Sequence, residues 1–161
     1  MTRNIRLLVE YDGTHFHGWQ IQPEQRTVQG EIQARLSKLF NESNSVTASG
    51  RTDTGVHALG QVVNFEAPRE ITDKQLFQSL SSMLPPDIAI RKIDTVSPAF
   101  HARFDALQRF YFYRLSYTKT PFERYYTWYM HKKLDINTLN RAAQYLVGRH
   151  DFTSFCVAAH E

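Results

Sequence analysis

The sequence predicts an α/β (α+β) fold, and two periodicities carry that prediction. Some segments alternate apolar and polar residues, the period of a half-buried strand; others repeat apolar residues every three or four positions, the period of an amphipathic helix. They arrive in the order β-α-β-β-α-β, after which a strand-like and a helix-like segment begin the order again. A β-α-β-β-α-β run is the ferredoxin-like, split βαβ unit. One such unit is therefore expected over 1–106, and the start of a second over 107–161.

Each element has a local reason. NIRLLVEYDG (4–13) alternates Ile5, Leu7 and Val9 with more polar neighbours and ends at a DG turn, which makes a strand. TVQGEIQARLSKLF (27–40) places Val28, Ile32, Leu36 and Phe40 at i, i+4 spacing behind Thr27, a good N-cap, which makes a helix. SVTASG (45–50) is short and β-prone, and GQVVNFEA (60–67) is a stronger strand. Thr72 and Gln75 have capping-box spacing; Leu76, Leu80 and Met83/Leu84 follow at helical spacing until Pro85-Pro86 stops the helix. IAIRKIDTV (88–96) is a strand. RFYFYRLSY (109–117) reads as a strong strand with Phe110 and Phe112 in the core, and DINTLNRAAQYLVG (135–148) as a helix with Asp135 at its N-cap and Gly148 just past its end. Phe152, Phe155 and Val157 read as the start of an element lacking a partner, so the chain is expected to be a C-terminally truncated piece of something longer.

Composition narrows the classes. With 161 residues, 42% hydrophobic and 22% charged, the chain can build a real core. No apolar run approaches the ~18 residues of a membrane span and the N-terminus carries no signal-peptide core, so a cytoplasmic protein is the default. The single cysteine, Cys156, excludes an intramolecular disulfide and a Cys-rich zinc site. No histidine pair has HExxH spacing, and His15 and His17 read as part of a loop packed on Trp19, so no metal is expected. Charge is uneven: residues 101–150 hold nine Lys/Arg against three Asp/Glu, interleaved with tyrosines in RFYFYRLSY and RYYTWYMHKK. Basic and aromatic side chains together suit a polyanion with stackable bases, although a solvated sheet face has the same composition.

The stretch ASGRTDTGVHALGQVVNF (48–65) holds a lone carboxylate, Asp53, between Arg51 and His57. In an extended run Arg51 and Asp53 share a side. An adjacent guanidinium keeps a carboxylate ionised, and an ionised carboxylate serves as base or nucleophile. Gly50 and Gly55 flank it, allowing a tight loop that a substrate can approach, and His57 is near enough to orient the loop or bind phosphate. A plain surface ion pair in a turn would look the same. The letters DTG do not make an aspartic protease: that site needs two carboxylates sharing a proton in an apolar setting, and Arg51 opposes it.

Four separated stretches, YDGTHFHGWQIQPEQRTVQGEI (11–32), GRTDTGVHALGQVVNF (50–65), PAFHARFDALQRFYFYRL (98–115) and HDFTSF (150–155), together resemble the TruA-type tRNA pseudouridine synthases. The resemblance implies the pseudouridine synthase fold, a homodimer at full length, no metal or organic cofactor, and isomerisation of uridine to pseudouridine in the anticodon arm of tRNA. It implies Asp53 as the catalytic aspartate, Arg51 as its partner in holding the flipped nucleotide, and Tyr111 as the aromatic that stacks on the target base. Arg103 and His101, in the PAFHARFDA stretch, are expected to contact RNA. Lys132, Lys133, Arg124 and Arg141 are candidates for backbone neutralisation. Trp19, like Phe110 and Phe112, reads as core. The competing expectation is a non-catalytic tRNA-binding fragment of such an enzyme.

Overall fold

A computed structural model describes residues 2–67 and 71–155. The chain divides into two compact units, Met1–Tyr111 and Phe112–Glu161.

In the first unit the strands are β1 (Arg3–Tyr11), β2 (Thr47–Ala48), β3 (Ala58–Ala67) and β4 (Ile88–Thr95), and the helices α1 (Val28–Phe40) and α2 (Asp73–Met83). The four strands form one antiparallel sheet in the order β2-β3-β1-β4. Alternation decides which side is buried: Ile5, Leu7, Val9 and Tyr11 of β1 join Val63 and Phe65 of β3 and Ile88 and Ile90 of β4 in one core. The helices supply the other half of that core through Val28, Ile32, Leu36 and Phe40 of α1 and Leu76 and Leu80 of α2. Their ends follow local chemistry. Thr27 accepts from Gly30 N–H at the start of α1, Thr72 and Gln75 form a reciprocal capping box on α2, and Asn41 closes α1 with φ of 55°.

The sheet's other side is where the PAFHARF stretch is fastened. Buried Asn4 donates to the carbonyls of Phe100 (2.7 Å) and Ser97 (3.1 Å), and Asn64 accepts from Ala102 N–H at 2.9 Å while donating to Asn4 at 3.0 Å. Two amide side chains, one on β1 and one on β3, thus hold the segment that carries His101 and Arg103.

The second unit contains β5 (Leu115–Ser116) and β6 (Trp128–Tyr129), paired in parallel, and α3 (Ile136–Gln144) capped by Asp135. Three expectations change here. The strand over 109–117 is reduced to residues 115–116, because residues 109–113 have no backbone partner on a strand among the described residues and β-prone side chains make a strand only against a pleated surface. Phe110 and Phe112 are not core; they are 87% and 68% exposed. The helix stops at Gln144 rather than running up to Gly148, and no residue of α3 is buried. Val157 lies outside the described residues, and Thr153–Phe155 form one 3₁₀ turn.

The core predicts a contrast. Leu36→Ala, at a fully buried position, is expected to cost roughly 2–5 kcal/mol by urea unfolding, whereas Phe112→Ser should stay within about 0.5 kcal/mol. Asp94 accepts bonds from Lys92 and Arg6, both at 2.8 Å, and these donors, Lys92 first, hold its carboxyl below the ordinary carboxylate range. A carboxyl depressed by folding contributes stability that is complete above its unfolded pKa and lost as pH falls through its folded value. Asp94→Asn is therefore expected to lower Tm slightly at about pH 6 and to match the wild type well below about pH 3; thermal melts across that range check it.

Candidate active site

The loop between β2 and β3 is held along nearly its whole length. Ser49 N–H donates to Val62 O at 2.8 Å and its hydroxyl to Gln61 Oε1 at 2.8 Å, while Gln61 Nε2 donates to Gly50 O at 2.6 Å. Thr52 O accepts from Trp19 N–H at 2.9 Å, and the Thr52 hydroxyl meets the Tyr11 phenol at 2.8 Å. Gly55 N–H donates to Phe16 O at 3.2 Å, and Val56 N–H closes a turn onto Asp53 O at 3.1 Å. Burial pushes the Tyr11 phenol above its ordinary pKa despite the bonds from Thr52 and Gln61, so it remains a neutral hydroxyl beneath the loop.

His57 finishes the clamp. Its Nδ1 lies 3.1 Å from Gly13 N and 3.0 Å from Asp12 Oδ1. An unprotonated Nδ1 accepts from Gly13; a protonated one donates to Asp12. Either form ties the loop to the Asp12–Gly13 turn. Two glycines permit the close approach: a Cβ on Gly13 would sit 2.0 Å from Val56 O, and one on Gly18 would sit 2.6 Å from Thr52 O, with Gly18 also at φ +82°.

What the loop presents is two charged side chains. Arg51 and Asp53 are exposed, and neither side chain has an internal hydrogen-bond partner among the described residues. The expected Arg51–Asp53 ion pair is not formed, since the loop leaves the extended path at the turn that begins at Asp53. Asp53 lines a hollow of about 320 Å³ together with His17, Gln20, Gln22 and Thr54. A second hollow, of about 410 Å³, is lined by Trp19, Gln29, Arg103, Arg109 and Tyr111 among others. Arg51 and Gln20 line both, so the two hollows adjoin.

The structure therefore brings Asp53, Arg51, Arg103 and Tyr111 around adjoining hollows, and sets His57 and His101 apart from their linings. His101 stacks on Phe104 with centroids 4.3 Å apart, and its backbone N–H is taken by Asp105 at 2.8 Å. Trp19 is both core, at 3% exposure, and part of the larger hollow's lining. His17, Gln20, Gln22 and Arg109 were not singled out from the sequence as site residues. All four lie inside the recognisable stretches, a few positions from Trp19 or Tyr111, which is the only sequence signal they offer. Among the described residues no group of three or more His, Cys, Asp or Glu side chains is placed to hold a metal ion, and no helix is long and apolar enough to cross a membrane.

The two positive-φ glycines near Asp53 separate strain from crowding. Gly55, at φ +79°, has open space where a Cβ would go, whereas Gly18 faces Thr52 O. Gly55→Ala is expected to cost about 1 kcal/mol, and Gly18→Ala about 1–2 kcal/mol more, in urea unfolding.

Comparison with known proteins gives one consistent result. A family described as tRNA pseudouridine synthase matches residues 7–105. The tRNA pseudouridine synthase A of Bacillus pumilus (strain SAFR-032) is 46% identical over 162 residues, covering 98% of this chain and 65% of its own. That of Exiguobacterium sp. (strain AT1b) is 40% identical over 159 residues, covering 99% and 65%. The tRNA pseudouridine synthase A 1 of Bacillus cereus is 46% identical over 157 residues, covering 96% and 64%. The chain spans about 65% of the length of these curated relatives.

Proposed function

The chain belongs to the tRNA pseudouridine synthase family, and from that premise we propose that it isomerises uridine to pseudouridine in the anticodon arm of tRNA, with Asp53 as the catalytic carboxylate. The observation that carries the proposal is the loop itself: its backbone is fastened on both sides while Asp53 and Arg51 are left free to meet a substrate. The reading includes the finer architecture, a ferredoxin-like unit over 1–106 and the start of a second over 107–161. It also includes a second copy of the chain as partner, a cytoplasmic place of work, and no metal or organic cofactor.

The chemistry asks for what the two hollows offer. The bond between C1′ of the ribose and N1 of uracil breaks, the base turns, and C1′ bonds to C5; the proton on C5 leaves and N1 gains one. Asp53 acts as the nucleophile that carries the sugar or base between these steps, and its release restores the carboxylate. The target base must leave its stack to be reached. Tyr111 offers the surface on which the loosened base stays, and Arg51, lining both hollows, holds the flipped nucleotide. Arg103 lines the larger hollow, where it meets phosphate or a base edge. His57 serves by holding the loop's end, with His101 close to the RNA path on the same segment as Arg103. The basic residues of 101–150 supply sequence-independent affinity that weakens with salt.

Tritium release from tRNA labelled at uracil C5 tests this directly, since the reaction displaces that hydrogen. The wild-type chain is expected to release tritium and Asp53→Ala to release none while binding tRNA with unchanged affinity and salt dependence. Equal release by the two proteins would remove Asp53 from the mechanism. Tight tRNA binding by a wild-type chain that releases nothing would leave a binding module in place of an enzyme.

A further inference from the structure

Tyr111 sits at the end of a segment that has little reason to stay where it is. Residues 106–111 form no strand or helix, and Leu107, Phe110 and Tyr111 are 96%, 87% and 71% exposed. Nonetheless Tyr111 lines the same hollow as Arg51. Among the described residues one side chain makes all the hydrogen bonds that leave this segment: Arg109 donates to Ser49 O from Nε at 2.9 Å and again from Nη2. Ser49 is itself fixed, through its N–H to Val62 and its hydroxyl to Gln61. The neighbouring residue makes room for the guanidinium, since a Cβ on Gly50 would lie 3.1 Å from Arg109 Nε and 3.4 Å from its Cδ.

We propose that Arg109 is a positioning residue: its two bonds to Ser49 O dock the Tyr111 segment onto the Asp53 loop and so hold the aromatic surface beside Arg51. The assignment rests on the functional reading above for what Tyr111 does once docked, but not for the docking itself. The geometry gives Arg109 a task distinct from that of Arg51 and Arg103, which line the hollow with no hydrogen bond to another described residue, Arg103 only lying 5.7 Å from the centroid of the Phe104 ring, and so keep their N–H donors for an incoming phosphate. Two N–H donors converging on one carbonyl are a guanidinium's property; a lysine ammonium can offer one of these bonds but not the fork.

The docking can be read without turnover. In protein labelled with 3-fluorotyrosine, the ¹⁹F resonance of Tyr111 is assigned by its loss in Tyr111→Phe. Arg109→Ala is expected to move that resonance to the position of free 3-fluorotyrosine, and Arg109→Lys to bring it part of the way back, with the melting temperature little changed because Arg109 is exposed. In the tritium assay Arg109→Ala is expected to lower kcat about tenfold to a hundredfold with KM little altered. The slope of tRNA affinity against salt should not change. A Tyr111 resonance that stays in place in Arg109→Ala overturns the proposal. So does a salt slope reduced by about one with kcat intact, which would make Arg109 a phosphate contact. A wild-type chain that releases no tritium defeats the reading of the function instead, and the fluorine spectrum then decides the docking by itself.

Discussion

The arrangement of the site depends on Arg26. Its guanidinium makes a two-pronged contact with Asp87, at 2.7 and 2.9 Å, and donates from Nε to Glu31 at 3.1 Å. It also lies 4.1 Å from the centroid of the Phe16 ring. Asp87 leads into β4, Glu31 stands in the first turn of α1, and Phe16 lies in the segment between β1 and α1, so one side chain joins three separate parts of the first unit. The carbonyl of Arg26 accepts from His17 N–H at 2.9 Å, and Asp12 N–H donates to Asp87 O at 3.0 Å. Residues 12–19 are thereby set, and they in turn hold the Asp53 loop through Gly13, Phe16 and Trp19. The bonds that Arg26 donates to Asp87 raise the guanidinium's pKa above its already high ordinary value, so this guanidinium carries its charge at any pH the protein meets.

How much of this was legible in the sequence depends on the reach of each signal. Strands β1 and β3 and helices α1 and α2 announce themselves through periodicity and caps, because their apolar faces and their Thr27 and Thr72 caps are local facts. RFYFYRLSY misled for the converse reason. Its aromatic character says that it suits a pleated surface, and no strand backbone meets residues 109–113 among the described residues. At the site, Asp53, its flanking glycines and Arg51 could be picked out by residue type. The clamp could not, since Tyr11 lies 41 residues from Thr52 and Arg109 lies 60 from Ser49. Gln61 offers no local hint that its amide would hold Ser49 and Gly50; in sequence it is merely a polar residue inside a strand.

The second unit shows what happens when side chains suited to burial are not buried. β5 and β6 pair over two residues each, Trp128 N–H donating to Arg114 O and Met130 N–H to Ser116 O. Tyr117 helps to brace this pair by accepting from Leu134 N–H at 3.0 Å, and Asp135 caps α3 through Asn137 and Thr138. Only the Asp135 cap is a bond between near neighbours; the others join residues 14 to 17 positions apart. Unlike the first unit, where Ile5, Leu7, Leu36 and Leu80 are sealed from solvent, the described residues of this unit rely on hydrogen bonding and capping with little apolar burial.

The fastening of residues 49–57 also fixes where disorder is lost when something binds. A loop whose carbonyls and amides are already engaged has little backbone freedom left to surrender. The ordering on association then falls on the side chains that project from it, above all Arg51, whose long chain carries about 2 kcal/mol of rotamer entropy. A ligand at this loop would meet a finished surface, with the adjustment confined to the tips of a few side chains.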